Sequence, residues 1–247
     1  MRLTTADESR IRVLEADPDL AMGLDGADTA AATRQLVAPR VSLDWTSHGH
    51  GWGPPDPSGH FGLLVVEGLL LREVRFLGTS SAELLGHGDI LRPWDIDGEL
   101  DLPVPAEICW TALEPVSVAV LDAAFVRRAA SWPDVLSALA GRAVVRAKSM
   151  AVHDAITNLK LVEVRLLVLF WHLAERWGRV TADSIDVPLP LTHATLAKLV
   201  GAARPSVTTA LGALSKRELL RRDGGIWRLS KDTDKAFGDM QREQGHH

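Results

Sequence analysis

Thr-His-Ala-Thr-Leu-Ala-Lys-Leu-Val-Gly-Ala-Ala-Arg-Pro-Ser-Val-Thr-Thr-Ala-Leu-Gly-Ala-Leu-Ser-Lys-Arg spans residues 192–217, and its reading decides the fold. Two short helices that cross closely need particular residues at the crossing. Ala197 is small enough to let one backbone approach another. Gly201 follows Leu199-Val200, where a first helix must stop, and glycine accepts the left-handed conformation that ends helices. Leu196, Val200, Ala202, Val207 and Ala210 fall where the apolar faces must meet. Arg204, Ser206, Thr208 and Thr209 are polar and lie on the outer side of the second helix, with His193 and Lys216 as further polar positions of the same stretch. This is the pattern of a helix-turn-helix, and its outer side is the one such a motif presents to the major groove of DNA.

A second module follows at once. Glu218–Leu229 consists of two apolar runs around Asp223-Gly224-Gly225, a strong hairpin signal. A helix-turn-helix followed by a hairpin is a winged helix. Arg221 and Arg222 are candidate contacts to the DNA backbone, as is Arg228, and solvated surface arginines are the ordinary alternative for all three.

Charge agrees with this placement. The 247 residues carry a formal net charge of −5, which does not suit a DNA binder until its distribution is examined. Residues 1–133 hold 10 basic and 20 acidic side chains, whereas residues 161–231 hold 11 basic and 6 acidic. The cationic part of the chain is the part that holds the motif, as a footprint for phosphates requires. The length suggests two domains. The single cysteine, Cys109, excludes a disulfide within the chain and an all-cysteine iron–sulfur cluster. It fits a reducing cytoplasm. Residues 1–12 lack the pattern of a signal peptide, and the longest strongly apolar run, residues 166–174, falls far short of the ~20 residues of a membrane helix. A cytoplasmic protein with no membrane partner is expected.

Outward from the motif, residues 186–191 are extended, because prolines remove ladder donors, and Thr192 caps the first helix of the motif. Residues 161–177 form a helix closed by Gly178. From Asp134 to about Leu159 there is no proline, and Leu136, Leu139, Ala143, Arg146 and Met150 recur at alternating steps of three and four. That segment is apolar nearly all round, so it is expected to be covered on more than one side, one of them by a second copy of the chain. Helical pattern begins at Ala123 and is interrupted by Pro133. Before it, short β-like runs cover 61–66, 69–76, 81–85, 108–113 and 116–121, punctuated by Gly68, Gly78, Gly86, Gly88 and Pro115, as in a small barrel or sandwich. Residues 46–60 are a loop of prolines, glycines and histidines, and 41–45 alternate as a strand does. Residues 8–38 read as helical and then irregular, with a short helix over 30–36 ended by Ala38-Pro39. No internal repeat is present.

The order of a β-rich region, a long helix and a winged helix resembles the CRP/FNR family of transcription regulators, closely over 123–231 and more weakly over 40–122. The resemblance implies an α+β fold: an N-terminal β-roll (double-stranded and jelly-roll-like), a long dimerisation helix and a C-terminal winged helix-turn-helix. It divides the chain into a helical extension 1–39, a cyclic-nucleotide-binding-like sensor domain 40–133, a dimerisation helix 134–160, a DNA-binding domain 161–235 and a tail 236–247. The family's recognition helix begins Arg-x-Ser/Thr-Val, here Arg204-Pro205-Ser206-Val207. The resemblance assigns Arg204 to a base edge, typically guanine, and Ser206 and Thr192 to phosphates. Chemistry agrees, since an arginine fork fits guanine O6 and N7 and hydroxyls serve phosphate oxygens. Members that respond to cyclic AMP carry Glu where this chain has Pro205 and Arg where it has Thr209, so their operator does not transfer. The partners implied are duplex DNA and a second copy, with RNA polymerase as a further candidate.

The same resemblance bears on the effector. Cyclic-nucleotide-binding members share Gly-Glu-Leu and, about ten residues on, Arg-Ser/Thr-Ala, whose arginine neutralises the cyclic phosphate. Here Ala106-Glu107-Ile108 hold the second place, and a buried carboxylate at Glu107 would repel a phosphate. Gly98-Glu99-Leu100 matches the first in letters, while Gly88-Asp89-Ile90-Leu91-Arg92-Pro93-Trp94 occupies its usual slot equally well. Ordinary cyclic AMP binding is therefore not expected. Arg92, Trp94, Glu99 and Glu107 are the candidate effector-pocket residues, Arg92 for an anion and Trp94 for a planar ligand. FNR-type sensing needs a cysteine cluster that one cysteine cannot make. His48, His50, His60 and His87 are haem or metal ligands by residue type only, and no metal site is expected.

Two other functions compete. A cupin-like metal enzyme needs His-x-His followed closely by Glu, but after His50 the nearest glutamate is Glu67. No nucleophile elbow or P-loop appears, and an enzyme is not expected. A winged helix that binds protein instead of DNA is the third reading.

Overall fold

The computed structural model describes residues 9–43, 59–95 and 106–231. The chain divides into two compact units, Met1–Ser149 and Met150–His247.

In the first unit, β1 (Arg10–Arg12) runs into a short helix α1 (Val13–Ala16), a 3-10 turn (Pro18–Ala21) and α2 (Gly26–Gln35). Then come β2 (Val37–Leu43), β3 (Gly62–Glu67), β4 (Leu69–Phe76), β5 (Thr79–Gly86), β6 (Ile90–Leu91), a 3-10 turn (Pro93–Asp95), β7 (Glu107–Ala112) and β8 (Val116–Leu121). They form a five-stranded antiparallel sheet ordered β1-β2-β8-β3-β6 and a three-stranded one ordered β5-β4-β7. Leu63 and Val65 of β3 and Val116 and Val118 of β8 bury one face of the larger sheet against Leu70, Leu85 and Trp110 of the smaller. Leu64 and Val66, the alternate residues of β3, bury the other face with Ala119 and Leu121 of β8. Period-two alternation explains why β3 is an unbroken apolar run: both its faces are covered.

What covers that second face differs from expectation. Val13, Leu14, Leu20, Ala32 and Leu36 pack there, together with Phe125 and Ala129 of α3 (Ala123–Ala129) and Val135 and Leu139 of α4 (Pro133–Thr157). Residues 10–36 are thus part of the β unit's own core. The irregular segment expected before residue 39 is strand instead, since β1 pairs with β2 from Val37 onward. Pro39 fits there because β2 pairs with β8 only from Arg40, so Pro39 has a neighbour on one side alone.

The second unit is α5 (Val162–Trp177), β9 (Arg179–Val180), β10 (Ser184–Val187), α6 (His193–Leu199), α7 (Arg204–Lys216), β11 (Leu220–Asp223) and β12 (Ile226–Ser230). Its antiparallel sheet is ordered β11-β12-β10-β9. The apolar face of α5, Leu166, Leu169, Phe170 and Leu173, is buried, and Phe170 meets Trp227 of β12 with ring centroids 5.0 Å apart.

In α4, the expected stripe through Leu136, Leu139, Ala143, Arg146 and Met150 is not one covered face. Val135 and Leu139 are buried, and Arg146 is half-buried, but Ala143 and Met150 are exposed. The uncovered side is a different one: Ala140, Val144, Ala147, Ala151 and Ala155 recur every three or four residues and are all exposed, as are Val145 and Val152. Among the described residues no helix is long and apolar enough to cross a membrane.

Candidate nucleic-acid interface

The Thr192 side chain caps α6 by accepting a hydrogen bond from the Thr195 backbone amide at 3.1 Å. At the other end Gly201 has φ +58°. The Ala202 amide donates to the Ala197 carbonyl at 3.0 Å and the Gly201 amide to that of Lys198 at 3.4 Å, the two bonds of a Schellman ending. A residue that sequence reasoning missed completes this turn. Arg165 of α5 donates from Nη1 to the carbonyls of Val200 (3.1 Å) and Gly201 (3.2 Å), and from Nε to that of Leu159 (2.6 Å). It supplies donors to carbonyls that a helix end leaves without partners. Nothing in its sequence context distinguishes it from any arginine on a helix.

The helix α7 starts at Arg204, with Pro205 in its first turn, where a missing N–H costs nothing. Val207, Ala210, Leu211 and Leu214 are buried, while Arg204, Ser206, Thr208, Thr209 and Lys216 are exposed. Leu196, Ala197 and Val200 are buried on the α6 side. The expected division between apolar and polar faces holds at these positions, while Ala202, expected among the apolar contacts, is only half-buried. Arg204 makes no ion pair or side-chain hydrogen bond among the described residues, and neither does Ser206.

The threonines are less free. Thr208 Oγ1 donates to the Arg204 carbonyl at 3.1 Å and Thr209 Oγ1 to that of Pro205 at 3.2 Å. Thr208 Oγ1 also lies 2.9 Å from His193 Nδ1, across from α7 to α6. With its proton spent inside the helix, Thr209 can offer a nucleic acid only acceptor lone pairs and a methyl group.

In the wing, β11 and β12 are joined by Gly224 and Gly225, with φ of +56° and +88°, the backbone of a type I′ turn. Neighbouring residues of a strand point to opposite faces. Arg222 pairs in register with buried Trp227, its guanidinium 5.4 Å from that ring's centroid, whereas Arg221 pairs with Arg228 on the other face. Arg228 is engaged by Asp223 at 2.6 Å and by Asp186 at 3.8 Å. Arg221 and Arg222 thus belong to different faces; neither has an ion-pair partner among the described residues, and Arg222 alone stacks on Trp227.

Of the effector candidates, Arg92 and Trp94 lie together. Glu107 is not buried, contrary to expectation: it opens β7 at the edge of the small sheet, its side chain is 52% exposed, and it pairs with Arg75 at 3.5 Å. Arg92 donates from Nη1 to the carbonyls of His60 (2.8 Å) and Phe61 (2.9 Å) and lies 5.6 Å from the Trp94 ring centroid, so its first duty is to the β-sheet's own backbone. Glu99, with Gly98 and Leu100, lies outside the described residues, as do His48 and His50. Among the described residues no three metal-ligating side chains gather. Cys109 is buried, and burial pushes its thiol upward, with Arg75 opposing, the condition of an inert thiol.

Sequence reading also missed how α4 is held. Arg142 donates from Nη2 to both carboxylate oxygens of buried Asp17, each at 2.8 Å. One turn on, Arg146 bonds Glu83 of β5 at 2.6 Å and the Ile90 carbonyl at 3.1 Å. Glu83 also meets Arg72 of β4 at 2.5 Å, and burial lowers the Arg72 guanidinium from its ordinary value.

Residues 164–232 match the family model of the Crp-like helix-turn-helix domain. That segment is a Crp-like helix-turn-helix domain. Solved structures agree in fold. A cyclic nucleotide-binding domain containing protein from Listeria monocytogenes is 18% identical, with 78% of this chain and 90% of that one covered at a TM-score of 0.61. FixK2 from Bradyrhizobium japonicum is 16% identical, with 81% and 96% covered at 0.57. The c-di-GMP responsive regulator CLP from Xanthomonas campestris is 15% identical, with 78% and 94% covered at 0.54. No curated protein sequence matches this chain. The solved structures share the fold of this chain.

Proposed function

We propose that this protein is a transcription regulator of the CRP/FNR type that binds duplex DNA as a homodimer and reads a near-palindromic site, with Arg204 at a base edge. Thr192 and Ser206 serve phosphates, and Lys216 and Arg221 add charge toward the backbone. The observation that carries the reading is the outer face of α7. It opens on an exposed, unpaired arginine, on a helix held from below by four buried apolar residues and kept in place against α6 by a rigid turn. A guanidinium so placed is free to pair with guanine O6 and N7.

The exposed stripe of α4 supports the dimer. A helix that leaves Ala140, Val144, Ala147, Ala151 and Ala155 in water has the small-residue seam along which a second helix packs closely. Two copies joined there would present two α7 helices to successive major grooves, about 34 Å apart.

On this reading any effector is something other than an ordinary cyclic nucleotide. Where the phosphate-binding arginine of such domains is expected, this chain carries Ala106 and Glu107, and Glu107 is engaged with Arg75 at the sheet edge. Arg92 is spent on backbone carbonyls.

The test is titration of a labelled duplex at increasing salt. Each phosphate neutralised contributes about −0.9 to the slope of log K against log salt, so a slope of several units is expected. A protein-binding winged helix would leave the duplex unbound even at low salt, and that result would contradict the proposal.

A further inference from the structure

The hydrogen bonds that join α6 to α7 determine which nitrogen of His193 carries a proton. Thr208 Oγ1 stands 3.1 Å from the Arg204 carbonyl and 2.9 Å from His193 Nδ1. A hydroxyl has one proton to give, and a carbonyl can only accept. Both contacts are satisfied in a single arrangement: Thr208 donates to the carbonyl, and His193 Nδ1–H donates to Thr208. The reverse, with Thr208 donating to Nδ1, leaves two oxygen lone pairs facing each other at 3.1 Å. The ring is partly exposed, and its Nε2 makes no hydrogen bond among the described residues. In the neutral imidazole that outward nitrogen is therefore a bare acceptor, the wrong group for a phosphate. Protonation changes it into a charged donor without disturbing the bond to Thr208.

We propose that His193 is a proton-linked contact to the DNA backbone, repelling a phosphate when neutral and binding it when charged, with Thr208 as the residue that imposes this switch. The inference rests on the DNA reading above and adds a regulating condition to it. The charged groups on the elements around the ring are cations: Lys198 on α6, and Arg204 and Lys216 on α7. The segment 188–192 that leads into α6 has no charge. On α5, which packs on α7, Arg165 bonds the far end of α6, and Glu163 is 3.9 Å from Arg217, beyond the end of α7. No carboxylate on α6, on α7 or in that segment pairs with the ring, so the phosphate supplies the anion. Because the bound state holds the proton more firmly than the free state, affinity rises as pH falls and binding takes up a proton.

Two measurements on the full chain test this. Nitrogen-15 correlation spectra of the free protein, with His193 assigned by its loss in His193→Gln, are expected to show the Nδ1–H tautomer at high pH. An Nε2–H tautomer overturns the proposal, and this readout does not depend on DNA. The second is affinity for a fluorescein-labelled random-sequence duplex from about pH 8 to about pH 5 at constant ionic strength, the interval in which imidazoles titrate. The wild type is expected to gain about tenfold more than His193→Gln, the size of one charge-assisted contact. His193→Arg is expected to bind tightly at both ends of the range. Thr208→Val, which frees the ring to take the other tautomer, is expected to raise affinity at high pH and flatten the profile. Parallel profiles for wild type and His193→Gln, both binding, overturn the inference and leave the DNA reading intact. Absence of binding at every pH removes the DNA reading and this inference together.

Discussion

Glu218 has a backbone φ of +56°, a conformation glycine adopts freely and a side chain with a Cβ resists. It ends α7 as Gly201 ends α6. The Leu219 amide reaches the Leu214 carbonyl at 3.0 Å and the Glu218 amide that of Ser215 at 3.1 Å, so both helices of the motif close with the same pair of bonds. The two positions give opposite expectations. Glu218→Gly should stabilise the second unit by about 0.5–1 kcal/mol, and Gly201→Ala should destabilise it by about 1 kcal/mol or more. Thermal or urea unfolding of each variant checks both signs. At this scale the apolar and polar positions of the motif were legible in sequence, because burial on a short helix follows its period. Glu218 was not, since a left-handed residue without glycine leaves no mark in composition. Nor was Arg165, whose role exists only because folding brings α5 beside the end of α6. Glu107 misled for a related reason. Its place was inferred by counting from β8, and counting does not say that a strand opens at an exposed edge.

Among the elements, β4 and β8 were found to the residue, because apolar-rich runs begin directly after the breaks at Gly68 and Pro115. The two-residue β6 carried no run long enough to see. Residues 10–16 show a similar limit, since three residues of β1 followed by one turn of helix give neither period time to repeat. For α4 its helical nature was plain, but its sidedness was not. Arg142 and Arg146 lie on its covered side because Asp17 and Glu83 meet them there, and a hydrophobicity pattern cannot anticipate such pairing. The uncovered side then carries the dimer expectation. Val144→Glu combined with Ala151→Glu places like charges along the proposed seam, where they repel across the two copies. Sedimentation should show the wild type as a dimer and the double variant as a folded monomer. A wild type that remains monomeric at high concentration would contradict the proposed seam.

Across the whole chain, the two units divide the labour by charge. The acidic excess lies in residues 1–133 and the basic excess in 161–231, so the part that approaches a polyanion is attracted to it while the remainder keeps the chain away from nonspecific contact. Non-specific affinity should therefore depend on many groups, but preference for one sequence should depend on few. On the proposed reading, Arg204 is the group on which it depends most. Selection of bound fragments from random duplex DNA, followed by affinity measurement for Arg204→Ala on the selected site and on unrelated sequence, tests this directly. The expected result is a two-part site with half-sites about one helical turn apart. Arg204→Ala should bind that site about 10- to 100-fold more weakly, a loss of one bidentate base contact, while its affinity for unrelated duplexes stays within a few-fold of the wild type. Equal affinity of the wild type for every duplex, or an equal loss on all of them in the variant, would contradict the reading of α7.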